Sequence, residues 1–259
     1  MMRLMWSLPV PMALPVLVDG AFTWHAGKPV YYFQCCGVQA AYCGENGVNV
    51  RRIPYPFAPE GVLLSLFWQL REDHDPPLLL LTKQHAINLQ TQEIVCHDLP
   101  IKKRSSSMSY QLGEYRIDYN DGFSIACTRN GAKAWQFRMQ GYLYTQIAQW
   151  EDLIFFGTAG YGGYLYILRL ETGEVVAAVK TGGTVQIAQQ GGVCYVLANR
   201  PGARLLKVDM ASGSILEELS LPGKSHYSNL RLMDGEVHAI TTVFKGNMAS
   251  EVLWNCVVI

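Results

Sequence analysis

No run in this chain reaches the roughly 18 apolar residues a membrane-spanning helix requires, and neither charge is in excess: 21 Lys and Arg stand against 21 Asp and Glu. A balanced charge offers no field for nucleic acid or anionic lipid, so neither is expected as a partner. Cys-x-x-Cys pairs are missing too. The seven cysteines are odd in number and irregular in spacing, which argues against a disulfide framework and a linear zinc motif and favours a reducing, cytoplasmic setting. The alternative, an exported or periplasmic protein, rests on Arg3 and the apolar stretch Leu4 to Val18, but Pro9, Pro11 and Pro15 interrupt it and no small-x-small site closes it.

Catalytic and ligand motifs are equally scarce. There is no Gly-x-Ser-x-Gly elbow, and the Ser, His and Asp residues are too dispersed for a triad. Arg71-Glu72-Asp73-His74-Asp75 alternates carboxylates without the Gly and terminal Glu of an EF-hand, and reads as a solvated loop. The Gly-rich segment Gly157 to Gly163 runs into a strand rather than a helix, so it is a hairpin turn and not a phosphate cradle. Cys96 and His97 are adjacent on a strand and point to opposite faces. With six scattered histidines at no ligand spacing, no metal is expected. Lys102-Lys103-Arg104, followed by three serines, reads as a basic connector.

What the chain does have is repetition. Residues 145–179 and 185–219 match at an offset of 40, both opening Gln-Ile-Ala-Gln, at Gln146 and at Gln186. Helical periodicity is nearly absent; Val62 to Leu70, flanked by prolines, reads as a strand between loops. Short β-branched and aromatic runs, Leu153 to Phe156, Tyr164 to Leu170, Val193 to Ala198 and Arg204 to Met210, are bounded by Gly or Pro. A period of about 40 built from short strands predicts the blades of a β-propeller.

Two landmarks extend the repeat. Turns between third and fourth strands fall at Asn46-Gly47, Thr91-Gln92, Asn130-Gly131, Thr172-Gly173 and Ser212-Gly213, at spacings of 45, 39, 42 and 40. A first-strand Gln or Asn recurs at Gln69, Gln111, Gln146, Gln186 and Asn229, interleaved with the turns. Such a ring of amides would serve the repeat itself, by bonding across neighbouring blades, or line a polar ligand site. The last unit stops short of its fourth strand, and Arg3 to Leu8 supplies an apolar segment that would complete it. The expectation is an all-β, single-domain, six-bladed propeller of four-stranded antiparallel blades, with units at about 12–53, 61–99, 107–138, 143–180, 183–220 and 226–259 plus the N-terminal strand. Five or seven blades are the alternatives.

The turn segments resemble the repeat of quinoprotein-like (pyrroloquinoline-quinone-type) propellers, approximately Ala-x-Asp-x-x-Thr-Gly-x-x-x-Trp. Thr172-Gly173 carries its Thr-Gly, Asp209 with Gly213 its Asp and Gly, Ala86 with Thr91 a further fragment, and Gly131 followed by Trp135 the Gly and Trp. The resemblance spans roughly residues 80 to 220 and implies architecture. Quinone-using members are similar to a larger, eight-bladed ring whose tryptophans dock each blade to the next. This chain is too short for eight blades and has that Trp once, so no cofactor is expected. The resemblance also implies a redox reading of Cys35-Cys36 as an adjacent-cysteine disulfide, which would be strained and labile. Strand alternation over Val30 to Cys36 accounts for both cysteines as small hydrophobes on opposite faces.

Blade topology puts second-to-third-strand turns and inter-blade connections at one face, which would gather Tyr55, Phe57, Lys83, His85, Tyr161, Arg200, His226, Tyr227, Lys245 and Asn247. Aromatics and arginine are the side chains that anchor protein interfaces. The leading expectation is a non-enzymatic protein-binding module whose partner is another protein. The alternatives are an enzyme at the mouth of the channel (a quinone-dependent oxidoreductase, lyase or hydrolase) and an immunity-type protein that neutralises a toxin.

Overall fold

The computed structural model describes residues 1–10, 20–36, 39–44, 50–56, 69–100, 108–119, 123–160, 162–225 and 230–259. Within them the chain forms strands and turns, arranged as six antiparallel sheets. The first sheet is β2 (Gly20–His25), β3 (Lys28–Cys36), β4 (Gln39–Gly44) and β5 (Val50–Pro54); the second is β6 (Gln69–Arg71), β7 (Leu78–Leu80), β8 (His85–Asn88) and β9 (Ile94–Cys96). The third runs β10 (Met108–Leu112), β11 (Tyr115–Tyr119), β12 (Ser124–Arg129) and β13 (Ala132–Arg138). In the fourth, β14 (Tyr142–Leu143) and β15 (Ala148–Trp150) both pair with β16 (Leu153–Ala159), followed by β17 (Tyr164–Arg169) and β18 (Val175–Lys180). The fifth is β19 (Thr184–Gln190), β20 (Val193–Ala198), β21 (Arg204–Asp209) and β22 (Ile215–Ser220). The sixth, ordered β1-β25-β24-β23, joins β23 (Leu230–Met233), β24 (Glu236–Lys245) and β25 (Met248–Val258) to the N-terminal β1 (Arg3–Pro9).

These are the blades of a six-bladed β-propeller, and the expected N-terminal strand supplies the fourth strand of the last one. The strand predictions over 153–156, 164–170, 193–198 and 204–210 correspond to β16, β17, β20 and β21. The region 62–68 and the turn at Asn46-Gly47 lie outside the described residues.

Burial explains the composition of each strand. Second and third strands are covered on both faces and read as continuous apolar runs: β16 has six buried residues in succession, and β20 five. Fourth strands are largely solvated, as in β22, where no residue is fully buried. Turns between third and fourth strands need positive φ, which Asn130 (48°) with Gly131 (82°), Gly173 (69°) and Gly213 (71°) supply. In the fifth sheet Asp209 Oδ1 accepts bonds from the Ser212 amide and hydroxyl, both at 2.7 Å, and fixes the turn.

The chain divides into two compact units, one of residues 1–5, 105–241 and 255–259, the other of residues 6–104 and 242–254. In the first, the position four residues after each turn glycine is where one blade meets the next. Trp135 of the third blade donates from Nε1 to the Leu170 carbonyl at 2.7 Å, and a Cβ on Gly173 would stand 2.6 Å from its ring. Ala177 of the fourth blade lies directly against Gly213. Glu217 of the fifth accepts a bond from the Met2 amide at 2.5 Å. One position thus holds a ring, a methyl group and a carboxylate, each fitted to what faces it. In the second unit, Val30, Tyr32, Tyr42, Leu79, Leu81 and Ile87 form a core between the first two sheets.

Two solution properties follow. The Met2 amide first of all holds the Glu217 carboxyl below its ordinary range; Arg129 does the same for Glu114, and the Ser212 hydroxyl and amide for Asp209. A carboxyl depressed in the native state stabilises the fold while ionised, so this contribution is complete above about pH 4.5 and is lost as the pH falls through the native values. Thermal midpoints should therefore decline on acidification below that pH, and Glu217→Gln should flatten part of the decline.

Burial also pushes the Cys43 thiol up to about 12, the Cys127 thiol up to about 11 and the Cys194 thiol well above its ordinary value. Since the thiolate is the reactive form, alkylation at about pH 8 followed by peptide mass spectrometry should label exposed Cys96 quickly. Cys43, Cys127 and Cys194 should react only on unfolding.

Candidate functional site

In a four-stranded antiparallel meander, the turn between second and third strands and the chain leaving the fourth strand emerge at the same sheet end. In the second unit Lys83 is exposed at the tip of the β7–β8 turn. His85 closes that turn: its carbonyl accepts from the amides of Leu81 and Thr82, and its amide bonds Thr82 Oγ1 at 3.0 Å. Lys245 and Asn247 are exposed on either side of Gly246, beside Met248, which is 77% exposed. Tyr55, at the end of β5, is half-buried against the core of the first two sheets. In the first unit Arg200 is exposed in the β20–β21 turn. Lys83 and His85 thus share one turn, and Lys245 and Asn247 another. Phe57, Tyr161, His226 and Tyr227 lie outside the described residues.

The first unit holds further aromatic residues at this end, outside any sequence motif. Tyr142 and Tyr144 are 49% and 40% exposed, while Leu143 and Thr145 between and after them are buried. Alternation along the edge strand turns both phenols outward. Phe123, at the β11–β12 turn, packs on Tyr142 with ring centroids 4.8 Å apart, and Gly160 of the next turn sits 3.5 Å from the Tyr142 ring, measured from where its Cβ would be. The signal was present in the sequence as Tyr142-Leu143-Tyr144, two aromatics on one side of a strand.

Beneath this end is a rigid polar layer. Thr181 and Thr184, both fully buried, bond hydroxyl to hydroxyl at 2.8 Å; Thr184 Oγ1 also donates to the Tyr164 carbonyl at 3.1 Å, and the Tyr164 amide to Thr158 Oγ1 at 3.0 Å. The turns are tied to the flanking connections: the Thr181 and Leu221 amides, which follow their blades, bond the turn carbonyls of Gly163 and Ala203, and the Asn199 amide of the fifth-blade turn bonds the Gly183 carbonyl, which precedes that blade. Arg204 completes the layer. Its guanidinium donates to the carbonyls of Thr181 and Arg200, at 2.7 and 2.6 Å, and to Glu218 Oε1 at 2.7 Å. Loops fixed before contact lose little entropy on binding, which favours affinity.

The amide landmark takes a different form from the one expected. Gln111, Gln149 and Gln189 each end or nearly end a first strand and donate from Nε2 to the carbonyl two residues on, those of Gly113, Glu151 and Gly191. The recurring amide therefore caps its own turn rather than reaching a neighbouring blade, and in the fourth and fifth sheets it is Gln149 and Gln189, not Gln146 and Gln186. Cys96 ends β9, and His97 lies just beyond it, its Nε2 3.0 Å from the Thr82 carbonyl. For Cys35 and Cys36 the backbone of β3 is as expected, and their side chains lie outside the described residues. A cavity of about 590 Å³ opens on the third sheet, lined by Gln111, Glu114, Arg116, Asp118, Thr128 and Asn130 among others. Arg116 pairs with Asp118 within the lining at 3.0 Å, and Glu114 pairs with Arg129 beside it at 2.7 Å.

No family model matches the chain, and no curated protein does. Among solved structures, the fold is similar to that of BamB from Moraxella catarrhalis. The likeness covers 100% of both chains at a TM-score of 0.55 and 9% identity. Two computationally designed proteins are also matched: Ika8, at 8% identity over 97% of this chain and 99% of that one with a TM-score of 0.48, and Ika4, at 12% identity over 58% and 92% with a TM-score of 0.44. At 9% identity the resemblance to BamB is one of fold alone.

Proposed function

We propose that this protein is a non-enzymatic binding module that recognises another protein through the turn ends of its blades. The observation that carries the reading is the exposed pair Tyr142 and Tyr144, set beside Phe123 over a hydrogen-bonded layer that holds the surrounding turns in place. Tyrosine presents a large, stiff, amphipathic surface and is enriched where binding energy concentrates. Arg200, exposed on a turn held by Arg204, adds a cation of the kind interfaces favour. In the second unit, Lys83, Lys245 and Asn247, exposed at turn ends, and Tyr55 and His85 are candidates for partner contact in their own right, as are Phe57, Tyr161, His226 and Tyr227 by their place in the sequence.

The test compares affinity purification by the wild-type chain with purification by Tyr142→Ala/Tyr144→Ala. Both side chains are exposed, so the variant should keep its thermal midpoint. A partner retained stoichiometrically by the wild type should bind the variant more weakly by about 2 kcal/mol, roughly thirtyfold. Equal retention by both proteins, or no stoichiometric partner for either, would overturn the proposal.

A further inference from the structure

The last blade brings together three side chains with no spacing motif in the sequence. Glu236 and His238 sit two apart on β24 and Cys256 on the adjacent β25, and one ligand atom from each lies within 4.8 Å of the other two. It is the one such His, Cys and carboxylate grouping among the described residues. Val237, Ala239 and Val257 pack into the core shared with Tyr195, Leu197 and Leu205. Strand alternation therefore places Glu236, His238 and Cys256 together on the opposite face. His238 and Cys256 are fully buried, whereas the Glu236 side chain is 39% exposed and gives the cluster its approach from solvent.

We infer that Glu236, His238 and Cys256 form a binding site for a divalent cation of the zinc class. Imidazole nitrogen, thiolate and carboxylate are the donors such ions take, whereas calcium and magnesium call for oxygen throughout. Zinc holds N and O donors at about 2.0–2.2 Å and S at about 2.3 Å, which in a tetrahedron sets neighbouring donors about 3.3–3.6 Å apart. Glu236 Oε2 and His238 Nε2 already stand at 3.2 Å, so the sulfur needs to draw in by no more than about 1.5 Å. Binding displaces the thiol proton to solvent, and the ion's two positive charges cancel those of the thiolate and carboxylate, leaving no net charge buried. Three protein ligands leave a fourth tetrahedral position for water or another donor. The ion would pin β24 to β25 in the blade that the N-terminal strand completes.

The full-length chain, stripped with a chelator, is titrated with Co²⁺ as a visible stand-in for zinc. One equivalent should bind, with a thiolate-to-cobalt charge-transfer band that Cys256→Ser abolishes. Because that substitution falls on a buried residue, Glu236→Gln serves as the second arm. It alters a half-exposed side chain and should weaken cobalt binding at least tenfold, since even outer partners of metal ligands cost 10–100-fold. No cobalt binding, a band that persists in Cys256→Ser, or unchanged affinity in Glu236→Gln would each overturn the inference, leaving the His238–Glu236 pair as a structural contact only.

Discussion

Replacing Trp135 with alanine is expected to destabilise the protein by about 3–5 kcal/mol, the range for deleting a buried tryptophan side chain. The ring is 7% exposed and belongs to a core with Ile117, Cys127, Ile154, Phe156 and Leu168. Its loss opens a cavity between the third and fourth blades and strips the Leu170 carbonyl of the indole donor at 2.7 Å. That buried acceptor adds a desolvation cost of about 1–3 kcal/mol if water does not enter. Trp135→Phe keeps most of the packing and loses the bond, so it should fall between wild type and alanine. Gly173→Ala approaches the same joint from the other side, driving a methyl group to 2.6 Å from the ring at a φ of 69°. Urea denaturation measures all three, and a cost below about 1 kcal/mol for Trp135→Ala would show that the indole does not hold this joint.

A second large effect is expected at Trp254, which is 1% exposed on β25. Its ring lies edge-on to Trp6 at 5.2 Å between centroids, 5.5 Å from Phe22 and 6.3 Å from Tyr31, which in turn stacks on Phe33 at 6.0 Å. Aromatic pairs of this geometry add about 0.5–1.5 kcal/mol each to what burial supplies. Trp254→Ala should therefore cost about 3–5 kcal/mol. The cluster joins strands of the last blade to β2 and β3 of the first, so the loss should also show as faster unfolding. A stopped-flow unfolding rate unchanged from wild type would mean that these rings are still packed in the transition state and come apart only after the rate-limiting step.

Much of the scaffold was legible because its signals are local. Asn130-Gly131, Thr172-Gly173 and Ser212-Gly213 mark turns where the backbone must take positive φ, and only a few residue types do so cheaply. The missing fourth strand of the last unit and the apolar Arg3 to Leu8 were complementary absences, and they pair in the structure. Where sequence reading slipped, a local irregularity was responsible. The first strand of the fourth sheet breaks between β14 and β15, where the Thr145 hydroxyl receives the Gly157 amide in place of a ladder bond. A match of Gln146 to Gln186 follows the letters, but the shared hydrogen bond belongs to Gln149 and Gln189 three residues later. The Glu236, His238 and Cys256 cluster was half visible, since Glu-x-His on a strand puts both side chains on one face. Cys256 joins them only through strand pairing. Tyr142 and Tyr144 went unread because an alternating aromatic pair looks like core until its exposure is known.

The blade closed by β1 imposes an order on synthesis. At the ends of β1, the Met2 amide bonds Glu217 of the fifth blade, 215 positions away in the chain, and the Val10 amide meets the Val252 carbonyl. On a ribosome, β1 emerges before the other five sheets and its partner β25 after them, so the nascent chain carries an unpaired strand while those sheets assemble. Contacts of such separation slow folding, and an unmatched edge invites pairing with another chain. Over the first residues of β1 exposure alternates, with Arg3 and Met5 turned to solvent, and the charge of Arg3 marks the outer side of that waiting strand.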